Sequence, residues 1–148
     1  MNHASGNKSV AKHSASVAAT ATFTHEIDTA GFKYASIDVL FSPYTASNVS
    51  IANVLRVSEG DTSGGTMTNV SGLVGGTDFT IAATGASTGA NIGAIARFNV
   101  DLRGRKRYLT VNVTPSTTVA VISSVRLSKA EVHASSTTDS GTNNYVSV

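Results

Sequence analysis

The densest chemistry in this sequence is Arg103-Gly104-Arg105-Lys106-Arg107, where four cationic side chains fall within five positions. A guanidinium is a planar fork that meets a carboxylate or phosphate through two parallel hydrogen bonds, and an ammonium adds a point charge. The run reads as a docking knuckle for an acidic protein surface or for nucleic acid. It reads equally as a solvated turn whose charges keep a hairpin soluble and block edge pairing. Four phosphate contacts would give a log–log salt slope of about −3.6. Tyr108 is the lone aromatic beside the charges, so base stacking lacks a platform and a protein partner is favoured over nucleic acid.

Other residue types that could do chemistry do not assemble. Gly72, Gly75 and Gly76, then Gly85, Gly89 and Gly93, invite a phosphate-loop reading, but no Lys-Ser/Thr pair and no strand-to-helix context accompany them. Flexible crossovers account for them better. Glu59, Asp61 and Asp78 could contribute oxygens to a calcium ion, but the EF-hand spacing is absent, and Asp is a habitual turn residue. His3, His13, His25 and His133 share no metal-ligand spacing, and His25 falls on an apolar strand face, as a satisfied core histidine would. No GxSxG occurs, no His and Asp are tied to any serine, and no carboxylate pair is assignable. The expectation is a protein without catalysis, metal or cofactor.

The elements that must position these residues follow from composition and period. The chain has 148 residues with no cysteine and no tryptophan, which suits one domain with a real core and excludes disulfides and thiolate metal sites. Ser and Thr together supply 39 residues, charged residues are only 14%, and the formal net charge is +2. The charged share is well below the roughly 25% of an average soluble domain, which suits a surface partly covered by partners and argues against a freely diffusing metabolic enzyme. No signal-peptide core follows Met1, and no stretch of 18 apolar residues occurs.

Alternation with period 2 runs through most of the chain. Phe23, His25 and Ile27 alternate with Thr22, Thr24 and Glu26, and Ala35, Ile37, Val39 and Phe41 with Ser36, Asp38 and Leu40. Ser42-Pro43-Tyr44 is expected to break that strand. Val49 to Val57 gives the next run, 59–65 reads as a loop, Thr66 to Val74 is ambiguous, and Phe79-Thr80-Ile81 reads as a short strand. Ala94 to Leu102, Leu109 to Val113 and Val119 to Leu127 complete seven or eight strands, with Arg103 to Lys106 at a hairpin turn. The expected fold is an all-β antiparallel sandwich, a jelly roll rather than an up-and-down barrel, because long connections suit crossovers between sheets. Residues 1–18 read as an N-terminal arm, 19–132 as the sandwich and 133–148 as a C-terminal tail.

The run Phe98-Asn99-Val100-Asp101-Leu102-Arg103-Gly104-Arg105-Lys106-Arg107-Tyr108-Leu109, continuing through Val111-Asn112-Val113-Thr114-Pro115, resembles small β-rich capsid-associated proteins of tailed bacteriophages. Ala35-Ser36-Ile37-Asp38-Val39-Leu40-Phe41 is similar to their early strand. The resemblance spans residues 32–130 and carries no catalytic residues. It implies a decoration or cement protein on the outer surface of the virion shell, made in the host cytoplasm. Its partners would be the major capsid protein and further copies of itself, as in a trimer, with no membrane, nucleic-acid or small-molecule partner. On that reading Arg103, Arg105, Lys106 and Arg107 meet capsid carboxylates, and Lys8 and Lys12 act from the arm. A tail, neck or fibre component, or a receptor- or carbohydrate-binding module, uses the same fold; the absence of tryptophan speaks against the sugar reading.

Overall fold

The computed structural model describes residues 6–44, 49–83, 92–129 and 144–148. Within them lie nine strands: β1 (Asn7–Val17), β2 (Phe23–Asp28), β3 (Tyr34–Tyr44), β4 (Ala52–Gly60), β5 (Thr68–Val74), β6 (Ile92–Asp101), β7 (Tyr108–Pro115), β8 (Val119–Ser128) and β9 (Asn144–Ser147). They form two sheets, ordered β1-β8-β3-β6-β9 and β2-β7-β4-β5. The antiparallel pairs β4–β5, β3–β6, β2–β7 and β1–β8 nest one outside the next, as if one long hairpin had been wrapped around a core. That nesting is the jelly roll. Among the described residues no helix is long and apolar enough to cross a membrane.

The sandwich follows from alternation. Ala35, Ile37, Val39 and Phe41 of β3, Ala96, Phe98 and Val100 of β6, and Val121, Val125 and Leu127 of β8 point inward from one sheet. Phe23 and Ile27 of β2, Leu55 and Val57 of β4, and Leu109, Val111 and Val113 of β7 meet them from the other. Both sets are buried, and β-branched residues dominate them, as a pleated, doubly covered layer favours.

Several boundaries differ from the sequence reading. The N-terminal segment is extended and is also a strand: β1 pairs with β8 from Asn7↔Ser128 to Val17↔Val119, so the sheet does not begin at residue 19. Its period was hidden because β1 is an edge strand whose core-side positions meet the opposite sheet only in part. Of its inward positions only Val10 and Val17 meet the core, while Lys8 and Lys12 are exposed and Ser14 is polar and half-buried. The described end of the tail, Asn144–Ser147, is a strand parallel to β6; residues 130–143 lie outside the described ones. Pro43 does not end β3. The strand absorbs it in an irregularity of register between Phe41 and Tyr44, the kind of place where a residue without an N–H fits. Glu59 and Gly60 belong to β4 rather than to a loop, and Thr68–Val74 resolves as a strand. Phe79 makes only an isolated bridge, to Gly75.

Candidate functional site

Arg103 to Arg107 lie not at the expected hairpin turn but on the loop that crosses from β6 in one sheet to β7 in the other, at one end of the sandwich, because β6 pairs with β3 and β7 with β2 and β4. Gly104 takes the left-handed region there at φ 82°. The cations are then met by the chain's own acids. The Arg103 Nε–H donates to Asp101 Oδ1 at 2.9 Å while its Nη2 donates to the other oxygen. Arg107 grips Asp28 in the same two-pronged way at 3.0 and 2.8 Å. Lys106 places Nζ 3.0 Å from Asp61, and its backbone N–H donates to Glu59. The Arg hydrogen bonds are the main reason that the Asp28 and Asp101 carboxyls are pulled down to about 2. Arg105 is the one cation of the four without an ion-pair partner among the described residues. The knuckle is thus nearly self-neutralised. One free arginine corresponds to a salt slope of about −0.9 on nucleic acid rather than −3.6. Exposed pairs of this kind hold weakly, so a partner's carboxylates can compete for them.

The remaining candidates are dispersed. The Lys12 ammonium donates to the Thr24 carbonyl at 2.6 Å and lies 5.7 Å from the centre of the Phe23 ring, so it ties β1 to β2. Lys8 is exposed on β1 and its charge acts on Asp28. His25 is buried, with Nδ1 3.0 Å from the Ser123 hydroxyl, also buried. His13 lies on β1 opposite Ile122; His3 and His133 lie outside the described residues. Asp78 accepts the Val74 N–H at 2.9 Å beyond the far end of β5, away from Glu59 and Asp61, which is turn chemistry. No group of three His, Asp or Glu side chains suited to a metal forms among the described residues. Gly75 packs against Ile81 and the Leu55 carbonyl, and Gly93 sits in β6 against the Phe41 carbonyl. Gly72 lies within β5, where φ is 88°, and Gly76 in the turn that follows, at 80°; Gly85 and Gly89 lie outside the described residues.

The two outer faces differ. On the four-stranded sheet, Thr24, Asn112, Ser58 and Asn69 form a chain of polar contacts. The loop between β4 and β5 straps across this face to β2: the Ser63 hydroxyl donates to one oxygen of Glu26 at 2.6 Å and the Gly64 N–H to the other at 2.8 Å. The Ser63 hydroxyl, then the Gly64 N–H, hold the Glu26 carboxyl below its ordinary value. The loop thus closes over Glu26, while Thr24 on the same face stays exposed.

The outer face of the five-stranded sheet has no such strap among the described residues. The registers place His13, Ile122, Leu40 and Ile95 in one row across β1, β8, β3 and β6. Ile122, at 38%, is the exposed large hydrophobic residue of the described chain. The next row carries Asp38 and Arg97, joined through two hydrogen bonds, one of 2.8 Å. Arg126 stands exposed with no ion-pair partner among the described residues, and with Ser9, Ser36, Asp38, Arg97 and Ser124 it lines a shallow cleft of about 230 Å³. Sequence reasoning passed over this row. The available signal was that Leu40, Ile95 and Ile122 interrupt the outward-facing polar series of their strands.

No protein-family model matches the chain, and no curated protein does. Among solved structures it is similar to one from Bacillus endospore appendages, a family of disulfide-linked pili, at 15% identity over 84% of this chain and 88% of that one, with a TM-score of 0.32. A likeness of that degree carries nothing about function or assembly.

Proposed function

We propose that this chain is a structural virion protein that binds the capsid shell of a tailed phage and stabilises its lattice, as a decoration or cement protein does. The observation that supports the reading best is the outer face of the five-stranded sheet. It offers Leu40, Ile95 and Ile122 in one apolar row beside Arg126, which has no ion-pair partner among the described residues. A capsid subunit presenting an apolar side chain beside a carboxylate fits that face, and many weakly held copies add through effective concentration. Arg105, and any of its neighbours released from their acids, form a second contact at the end of the sandwich. The low charge content and the resemblance of residues 32–130 point the same way.

The sugar-binding alternative loses ground on geometry. Tyr34 and Tyr108, which could serve as stacking platforms, carry Arg103 at 5.2 Å and Arg107 at 5.0 Å from their ring centres, and Tyr44 is buried. A tail or neck position would use the same sheet face, and copy number separates the two. Quantitative mass spectrometry of purified particles, with cryo-EM to place the density, is the test. Copies numbering with the capsomers, on the shell, support decoration; a handful at the tail, or none, overturns it. Deleting residues 1–18 is a poor test of an arm, because it strips β1 from β8 and bares a new sheet edge.

A further inference from the structure

The eight strands β1 to β8 complete the jelly roll by themselves, and β9 is an addition to it. It is the one parallel strand among the described pairs, four residues long, laid along β6 from Ala96↔Asn144 to Asn99↔Ser147. Its seat is built into the body. Where β4 advances from Arg56 to Ser58, β5 uses the longer stretch from Asn69 to Val74, so β5 bulges there. Gly72, in that bulge at φ 88°, leaves the space that Val148 fills: a Cβ on Gly72 would lie 2.5 Å from the Val148 Cγ1. Val146 and Val148 rest half-buried against the core. The Val148 N–H donates to the Asn99 carbonyl at 3.0 Å, and the Asp101 N–H to the Val148 carbonyl at 2.8 Å. The groove is therefore specific: an exposed strand edge for the backbone and a glycine-shaped seat for one terminal valine.

Two valines and a short ladder are a light anchor for a segment that must be ordered to bind. The chain between Lys129 and Asn144 has length to spare. Fully extended it reaches about 50 Å, whereas crossing from β8 past β3 and β6 to the level of Ala96 needs about 20 Å at ordinary strand spacings. A strand so lightly held, on so long a connection, reaches its own groove or an equivalent groove on an adjacent copy at similar cost.

We infer that β9 is an exchangeable strand, and that the groove between β5 and β6 accepts the C-terminal strand of a second copy of this chain. The inference does not depend on the capsid reading. It gives copies held side by side a way to link without any further partner.

The absence of native cysteine makes the test clean. One full-length chain carries Asn99→Cys alone and another carries Ser147→Cys alone, a pair that β9 brings side by side at a spacing a disulfide accepts. The two are mixed at high concentration and oxidised. Exchange gives disulfide-linked dimers containing one of each, in excess over like-with-like dimers, and this excess is lost when Val148→Asp is added to the Ser147→Cys chain. No excess of mixed dimers, with the chain carrying both substitutions closing only upon itself at every concentration, overturns the inference. A second arm needs no altered protein: a fluorescent peptide of residues 142–148 is titrated into the unmodified chain. Saturable binding that Val148→Asp in the peptide abolishes supports exchange; no saturable binding overturns it.

Discussion

His25 on β2 and Ser123 on β8 reach across the interior and meet, Nδ1 to Oγ at 3.0 Å, joining the two sheets through a polar contact in an otherwise apolar layer. Burial holds the His25 pKa below its ordinary 6.5, and the nearby Lys12 charge pushes the same way. In the unfolded chain the ring titrates at its ordinary value, so between the two values the unfolded state binds more protons. The stability that a neutral ring allows is complete above about pH 6.5 and is lost as the pH falls below it. Urea midpoints should therefore drop from about pH 7.5 to about pH 5, across the histidine range. Asp28 and Asp101 titrate near 2 and stay out of that window. His25→Asn keeps a polar atom near the Ser123 hydroxyl and should flatten the dependence; an equally steep loss in the variant would remove His25 as its cause.

The self-neutralised loop between β6 and β7 makes a second prediction. Asp28→Asn with Asp101→Asn raises the formal net charge from +2 to +4 and removes the carboxylates that pair with Arg107 and Arg103. Binding to double-stranded DNA, weak in the unmodified chain, should strengthen, and its log–log salt slope should steepen from about −0.9 toward about −2.7 as two more cations become available. The melting temperature should barely move, because these pairs are exposed. A steep slope already present in the unmodified protein would show that the acids do not mask the knuckle.

Much of the jelly roll was legible because a strand buried on one face writes its period into the sequence. Phe23, His25 and Ile27, and Leu109, Val111 and Val113, show it plainly, and all are buried. β1 left no such record because it is an edge strand and three of its core-side positions carry Lys8, Lys12 and Ser14. β9 is too short to show a period and depends on Gly72, which is far away in the chain. The knuckle was legible as charge but not as a neutral cluster. Asp28 lies 79 residues from Arg107, and only the pairing of β2 with β7 brings Asp28 opposite Tyr108. The apolar row was visible residue by residue and became a surface only once β1, β8, β3 and β6 were set side by side.

Tyr44 shows how the end of β3 survives Pro43. Its buried hydroxyl donates to the Ile51 carbonyl, and its ring lies 6.2 Å from that of Phe41, closing the strand's irregular end against the segment entering β4. Tyr44→Phe keeps the ring and leaves that carbonyl without this donor. The expected loss is about 1–3 kcal/mol of unfolding free energy, read from urea denaturation. A neutral result would mean that water or a neighbouring N–H takes the hydroxyl's place.

The sheet-face reading makes the sharpest demand on the proposed function. Ile122 is exposed and Arg126 has no ion-pair partner among the described residues, so Ile122→Glu and Arg126→Glu should leave the fold and its melting temperature nearly unchanged. If that face docks on the shell, burying the 38% of Ile122 that is exposed contributes on the order of 1 kcal/mol, and Ile122→Glu also places an unpaired carboxylate in the contact, so it should weaken binding to particles by roughly tenfold or more. Arg126→Glu should do the same where a capsid carboxylate faces it, and a capsid Lys or Arg introduced at that carboxylate should restore binding. Thr24→Lys, exposed on the opposite outer face, serves as the control and should leave occupancy intact. The variants are added to particles stripped of the protein, and bound copies are counted by mass spectrometry. Equal occupancy for all three would mean that the apolar row is not the docking face, and would leave the end of the sandwich around Arg105 as the surface to alter next.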